Sequence, residues 1–168
     1  MKKTIDLSFP IHEGMTTFPS HWHPFVEITQ LGRHGIENRE SRKVTLGTHT
    51  GTHVDAPVHF VEGAETIDQI PLELLTGKAG LIDLAPGKVK HEYSLAELKK
   101  AVGERKILPR MVVRYGWTPR WGKIEFYTEA PHLSVEACGW LVDQGVKLLG
   151  MDTPSIDDHD HGWRTAND

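Results

Sequence analysis

A single cysteine, Cys138, stands among 168 residues. One thiol cannot build an internal disulfide framework, and its scarcity fits a reducing compartment. Its helical surroundings suit a small packed hydrophobe. No basic run occurs, and 23 acidic against 19 basic residues leave a formal net charge of −4, which argues against nucleic acid as a partner. No apolar run reaches membrane-spanning length. Met1-Lys2-Lys3-Thr4 leads into a short alternating segment rather than the long apolar core of a secretory signal, so a cytoplasmic protein is expected. There is no Gly-x-Ser-x-Gly elbow, and Cys138 lies in an apolar pattern, so a serine or cysteine nucleophile finds no support. No repeat or linker is evident, and the length suits one domain spanning 1–168.

What the sequence does have is concentrated in His49-Thr50-Gly51-Thr52-His53-Val54-Asp55-Ala56-Pro57-Val58-His59-Phe60. Three histidines and an aspartate fall at 49, 53, 55 and 59, all odd positions. In an extended strand, positions an even step apart share a face. Val44, Leu46, Val54, Ala56, Val58 and Phe60 would then form a core face, opposite a row of imidazoles and a carboxylate. His49 and His53 also have helical spacing. Against a helix stand the β-branched Thr48, Thr50, Thr52 and Val54, together with Gly51 and Pro57. A lone histidine is most simply a polar residue at a strand end. His-x3-His-x-Asp on one face is better explained by a metal, and neutral imidazole with carboxylate suits zinc or manganese. Ligands at His49, His53 and Asp55 would leave a position open for water.

Along the chain, alternation of Ile5, Leu7, Phe9 and Ile11 predicts a first strand. Residues 12–24 read as a loop carrying Phe18, His21, Trp22 and His23, whose aromatics could wall a pocket or plug the core beneath. Strands are expected at 25–31 and 40–48, the second leading into the histidine motif, with a turn at 32–39. A short helix is expected at 71–76 and strands at 81–84, 111–113 and 146–149. Ser94 and Glu97 form a capping box for a helix burying Leu95, Leu98, Ala101 and Val102. A second helix follows Ser134, with Val135, Cys138, Leu141 and Val142 inward and a stop at Gly145. The order predicts one mixed α/β domain.

The central motif resembles the signature of the cyclase family of metal-dependent hydrolases, which includes bacterial kynurenine formamidases and isatin hydrolases. Asp6-Leu7-Ser8, Arg114-Tyr115-Gly116-Trp117 and Gly150-Met151-Asp152-Thr153-Pro154-Ser155 extend the resemblance over nearly the whole chain. It implies a swivelling β/β/α domain, a mixed barrel-like sheet with outer helices, and one or two Zn2+ or Mn2+ ions per site. It implies an acid/base role for His59 and a substrate-facing role for Phe18 beside Pro19. A homo-oligomer, dimer or tetramer, is expected. The family places a further histidine and a glutamate or glutamine after the Asp-Thr-Pro-Ser segment. No matching pair occurs before Asp168, so the chain is expected to lack the family's C-terminal segment. His159 and His161 could substitute, although the acidic tail at 156–168 reads first as a solvated end.

The function expected is hydrolysis of a small-molecule amide or formamide C–N bond. A metal at His49, His53 and Asp55 would lower the pKa of bound water and polarise the carbonyl. His59 shares the motif's face but follows Pro57, so it can stand off the metal and move protons. It could instead orient a ligand from outside. The alternative function is a metal-binding family member without turnover, regulatory or structural.

Overall fold

The computed structural model describes residues 3–157 of the chain. These divide into two units, Met1–Asp55 and Ala56–Asp168. Expectations that fall on residues 158–168, including His159 and His161, lie outside the described residues. The elements are β1 (Glu27–Gly32), α1 (His34–Glu37), β2 (Ser41–Thr45), α2 (Leu72–Leu75), β3 (Gly80–Asp83), β4 (Glu92–Tyr93), α3 (Leu95–Val102), β5 (Arg110–Arg114), α4 (Glu125–Thr128), β6 (His132–Leu133), α5 (Val135–Asp143) and β7 (Leu148–Met151). The predicted mixed α/β class holds. The strands form three open sheets, of two, three and two strands, and no closed barrel is present among the described residues.

In the first unit β1 and β2 pair antiparallel, with Ile28 opposite Val44 and a bulge between Gln30 and Gly32. The one-turn helix α1 makes the connection and ends at Asn38 in the left-handed region. The strand predicted over Ile5–Ile11 is absent: Ile5, Leu7 and Ile11 are exposed, and no strand among the described residues pairs with them. Alternation marks a strand only where a ladder partner exists to satisfy its backbone groups. The strand predicted at 40–48 stops at Thr45, so the histidine motif lies beyond the sheet.

The second unit is built on the parallel order β3-β5-β7. Parallel strands need crossover connections, and the segments carrying α3 and α5 supply them. Ile82, Met111 and Val113 on the strands are buried, as are Leu98 and Val102 on α3 and Ala137 and Leu141 on α5. Of the residues expected to point inward on α5, Val135 and Val142 are instead exposed and Cys138 is half-buried. The inward stripe runs through Ala137 and Leu141, four apart and so on one helical face. Asp152, just past β7, accepts hydrogen bonds from the backbone N–H groups of Tyr115 (2.7 Å) and Trp117 (2.9 Å). One carboxylate thereby fastens the exits of two adjacent strands.

The capping box of α3 is present as expected. Ser94 Oγ accepts from the Glu97 N–H, and the Glu97 carboxylate accepts from the Ser94 N–H. His91 Nε2 donates to Glu97 Oε1 at 2.9 Å. That hydrogen bond and those from Ser94 hold the Glu97 carboxyl down to about 2. A carboxyl depressed in the folded state adds stability above its unfolded pKa of roughly 4.3. The addition is lost as pH falls toward about 2. Glu97→Gln should therefore flatten the stability-against-pH curve between those limits. Urea unfolding of both proteins across that range measures it, and parallel curves would contradict the assignment.

Candidate metal centre

The centre starts where the ladder ends. After Thr45 the chain carries threonines that favour extended backbone, but no partner strand continues, so it turns. Gly51 makes the turn with φ of 65°, a left-handed conformation that costs a side-chain-bearing residue energy. The even-numbered residues expected in the core are not there: Val44, Leu46, Val54, Val58 and Phe60 are exposed. The shared parity of the histidines therefore has another cause. The turn, not the pleat of a strand, brings them together.

Within the first unit three of the predicted residues converge. His49 Nδ1 lies 2.6 Å from Asp55 Oδ1, and His53 Nε2 lies 3.1 Å from the same oxygen. The two rings meet edge to face at 5.3 Å between centroids. His53 Nδ1 donates to the Gly51 carbonyl at 2.8 Å, which fixes the ring with Nε2 turned to Asp55. All three side chains are partly exposed and open to a small ligand.

The electrostatics follow. Burial pushes the Asp55 carboxyl up, but hydrogen bonds from His53 and His49 and their charge outweigh it, and the pKa falls to about 2. The hydrogen bond to Asp55 raises His53 against partial burial, which pushes it down. The donor set is two imidazole nitrogens and one carboxylate oxygen. It fits a borderline divalent cation such as zinc or manganese. The protons on His49 Nδ1 and His53 Nε2 sit between the same atoms that such a cation would draw in.

His59 opens the second unit, closing the 3₁₀ turn Pro57–His59, with its ring against Phe60 at 4.2 Å. Its N–H donates to the Ala56 carbonyl at 2.9 Å. Phe18 lies in the first unit and stacks on Trp22 at 6.3 Å and 30°. That contact bears out an aromatic loop at 12–24 without deciding between plug and pocket wall.

Two residues make contacts that the sequence reading did not assign. Asp152 belongs to a motif already singled out, yet nothing in the sequence signals that it accepts from Tyr115 and Trp117. His23 is buried and its Nε2 donates to the His49 carbonyl at 3.0 Å. Its place in a loop before Pro24 gave no sign of that, since the partner lies 26 residues away.

The family model described as "Putative cyclase" matches residues 5–158. Kynurenine formamidase of Bacillus cereus (strain ATCC 14579) is 29% identical over 154 residues, covering 91% of this chain and 69% of that protein. Among solved structures, an isatin hydrolase bound to the product analogue thioisatinate superposes with a TM-score of 0.75 at 20% identity, covering 89% of this chain and 66% of that one. A Bacillus stearothermophilus protein described as a predicted metal-dependent hydrolase gives a TM-score of 0.72 at 25% identity, covering 96% and 74%. The chain spans about two thirds of the length of these relatives.

Because His53 Nε2 meets Asp55 Oδ1, removing it tests whether the cluster holds a metal. His53→Ala should abolish tight zinc or manganese binding, read by elemental analysis after dialysis. Full metal content in the variant would remove His53 from the ligand set.

Proposed function

The chain belongs to the Cyclase family, and on that premise we propose that it is a metal-dependent hydrolase cleaving the C–N bond of a small amide or formamide. The observation that carries this reading is the meeting of His49 Nδ1 and His53 Nε2 on Asp55 Oδ1. The likeness to kynurenine formamidase supports an aryl formamide as substrate. The likeness of fold to an isatin hydrolase supports the swivelling β/β/α arrangement. Among the described residues no helix is long and apolar enough to cross a membrane. A cytoplasmic homo-oligomer, dimer or tetramer, remains part of the proposal.

His49, His53 and Asp55 would hold one Zn2+ or Mn2+, and a second ion would need ligands from elsewhere. The ion, when bound, polarises the substrate carbonyl and acidifies water. Asp55 supplies the negative charge, and because its carboxyl stays ionised down to about pH 2 it does so at every working pH. His53 is held in orientation by the Gly51 carbonyl, so its Nε2 presents without a search. His59 is the proton carrier. Its ring takes a proton as water adds to the carbonyl carbon, then gives it to the amide nitrogen as the C–N bond breaks. The products are a carboxylate (formate, for a formamide) and a free amine. Phe18, stacked with Trp22, offers a flat apolar face for the aryl group of the leaving amine.

The test is hydrolysis of a panel of aryl formamides and lactams by the metal-loaded protein. Activity should follow metal content, and chelation should remove it. His59→Ala should retain the metal and lose about 10²–10⁴-fold in kcat. If the variant loses metal in step with activity, His59 is a ligand and not the proton carrier. A loaded protein inert toward the whole panel would favour a binding role without turnover.

A further inference from the structure

We propose that His23 is a positioning residue for the metal centre: it holds the backbone of His49 in place and thereby sets metal affinity. The inference rests on the reading of His49 as a ligand and concerns a side chain that does not itself reach the metal.

The ring of His23 is buried, only 7% exposed, in a loop that carries no regular structure. Its Nε2 lies 3.0 Å from the carbonyl oxygen of His49. A carbonyl only accepts, so the proton is on Nε2. The other ring nitrogen, Nδ1, is buried and has no hydrogen-bond partner among the described residues. The bond to His49 is therefore what fixes the ring's orientation. The loop end is itself anchored, since the His23 N–H donates to the Ser20 carbonyl at 3.2 Å.

A second observation is independent of the hydrogen bond. Gly47 packs directly on this ring. A Cβ there would lie 3.0 Å from both Cε1 and Nε2 of His23, and 3.2 Å from Cδ of Pro24. The backbone of Gly47 is not in the left-handed region, so glycine is needed there for the space and not for its φ. His23 thus grips the loop at two points on either side of Thr48: it presses on Gly47 and bonds to His49. This is the stretch just past Thr45, where the β1–β2 ladder stops supplying partners. Without the ring, the His49 carbonyl would lose the hydrogen bond from His23 Nε2. His49 Nδ1 must stay within reach of Asp55 Oδ1 for the centre to form, and free movement of its backbone would cost affinity. His53 has a comparable brace, from its own Nδ1 to the Gly51 carbonyl. His49 uses Nδ1 on Asp55, so its brace comes through the main chain.

The experiment measures zinc affinity of the metal-free full chain by competition with a chromophoric chelator. It compares wild type with His23→Leu, His23→Gln and Gly47→Ala, and records thermal unfolding of each. His23→Leu keeps the apolar bulk and removes the donor; its affinity should fall about 10–100-fold. His23→Gln restores an N–H donor and should recover most of the loss. Packing alone would not be rescued in this way, so a His23→Gln variant as weak as His23→Leu overturns the proposal. Gly47→Ala displaces the ring without touching its chemistry and should also weaken binding, which covers the case in which His23→Leu does not fold. Wild-type affinity in either His23→Leu or Gly47→Ala overturns the proposal while leaving the metal centre standing. A wild-type protein that binds neither zinc nor manganese overturns the metal centre first, and this inference with it.

Discussion

One carboxylate oxygen, Asp55 Oδ1, is the point on which the candidate centre depends. Two histidine nitrogens approach it at 2.6 and 3.1 Å, from six and from two residues earlier in the chain. Partial burial works against the charge on Asp55, and the two imidazoles more than offset it. A carboxylate kept ionised in this way is ready for a divalent cation at any pH where the histidines can be deprotonated. The same contact gives the loop between Gly47 and Asp55 an internal constraint, where no sheet ladder is available.

The rest of the structure divides between chemistry and framework. In the first unit the short β1–β2 hairpin ends before the histidine motif, and loops carry His23, His49, His53 and Asp55. A two-stranded ribbon is a weak support by itself. Local braces compensate: Gly51 for His53 and His23 for His49. In the second unit the framework is regular. The parallel sheet buries Ile82, Met111 and Val113, α3 packs on β3 and on α5, and Asp152 ties the exits of β5 and β7. Binding groups commonly sit on loops held by a scaffold.

Much of this was legible in the sequence, and the parts that were not share one cause. The α3 capping box, the strand at Met111–Val113 and the α5 start after Ser134 were read correctly because each is written within a few residues. The meeting of His49, His53 and Asp55 was legible because the three fall within seven positions. The geometry that unites them was misread. The odd-numbered spacing suggested a strand, whereas Gly51 bends the chain and the even-numbered apolar residues stay exposed. The strand over Ile5–Ile11 failed for a related reason, as alternation says nothing about whether a partner is present. The roles of His23 and Asp152 depend on partners 26 and more than 30 residues away, and local patterns hold no record of them. The outward turn of Val135 and Val142 shows the same limit, because which face of an apolar helix is covered is decided by what packs on it.

The most direct test of the central claim is the metal's own coordination shell. X-ray absorption at the zinc or manganese edge of the loaded protein reads ligand type and count without reference to activity. The expected shell holds nitrogen and oxygen donors, two imidazoles and one carboxylate among them, and dialysed His53→Ala should give no such protein-bound shell. A sulfur ligand, an all-oxygen shell, or an imidazole signal unchanged by that substitution would contradict it.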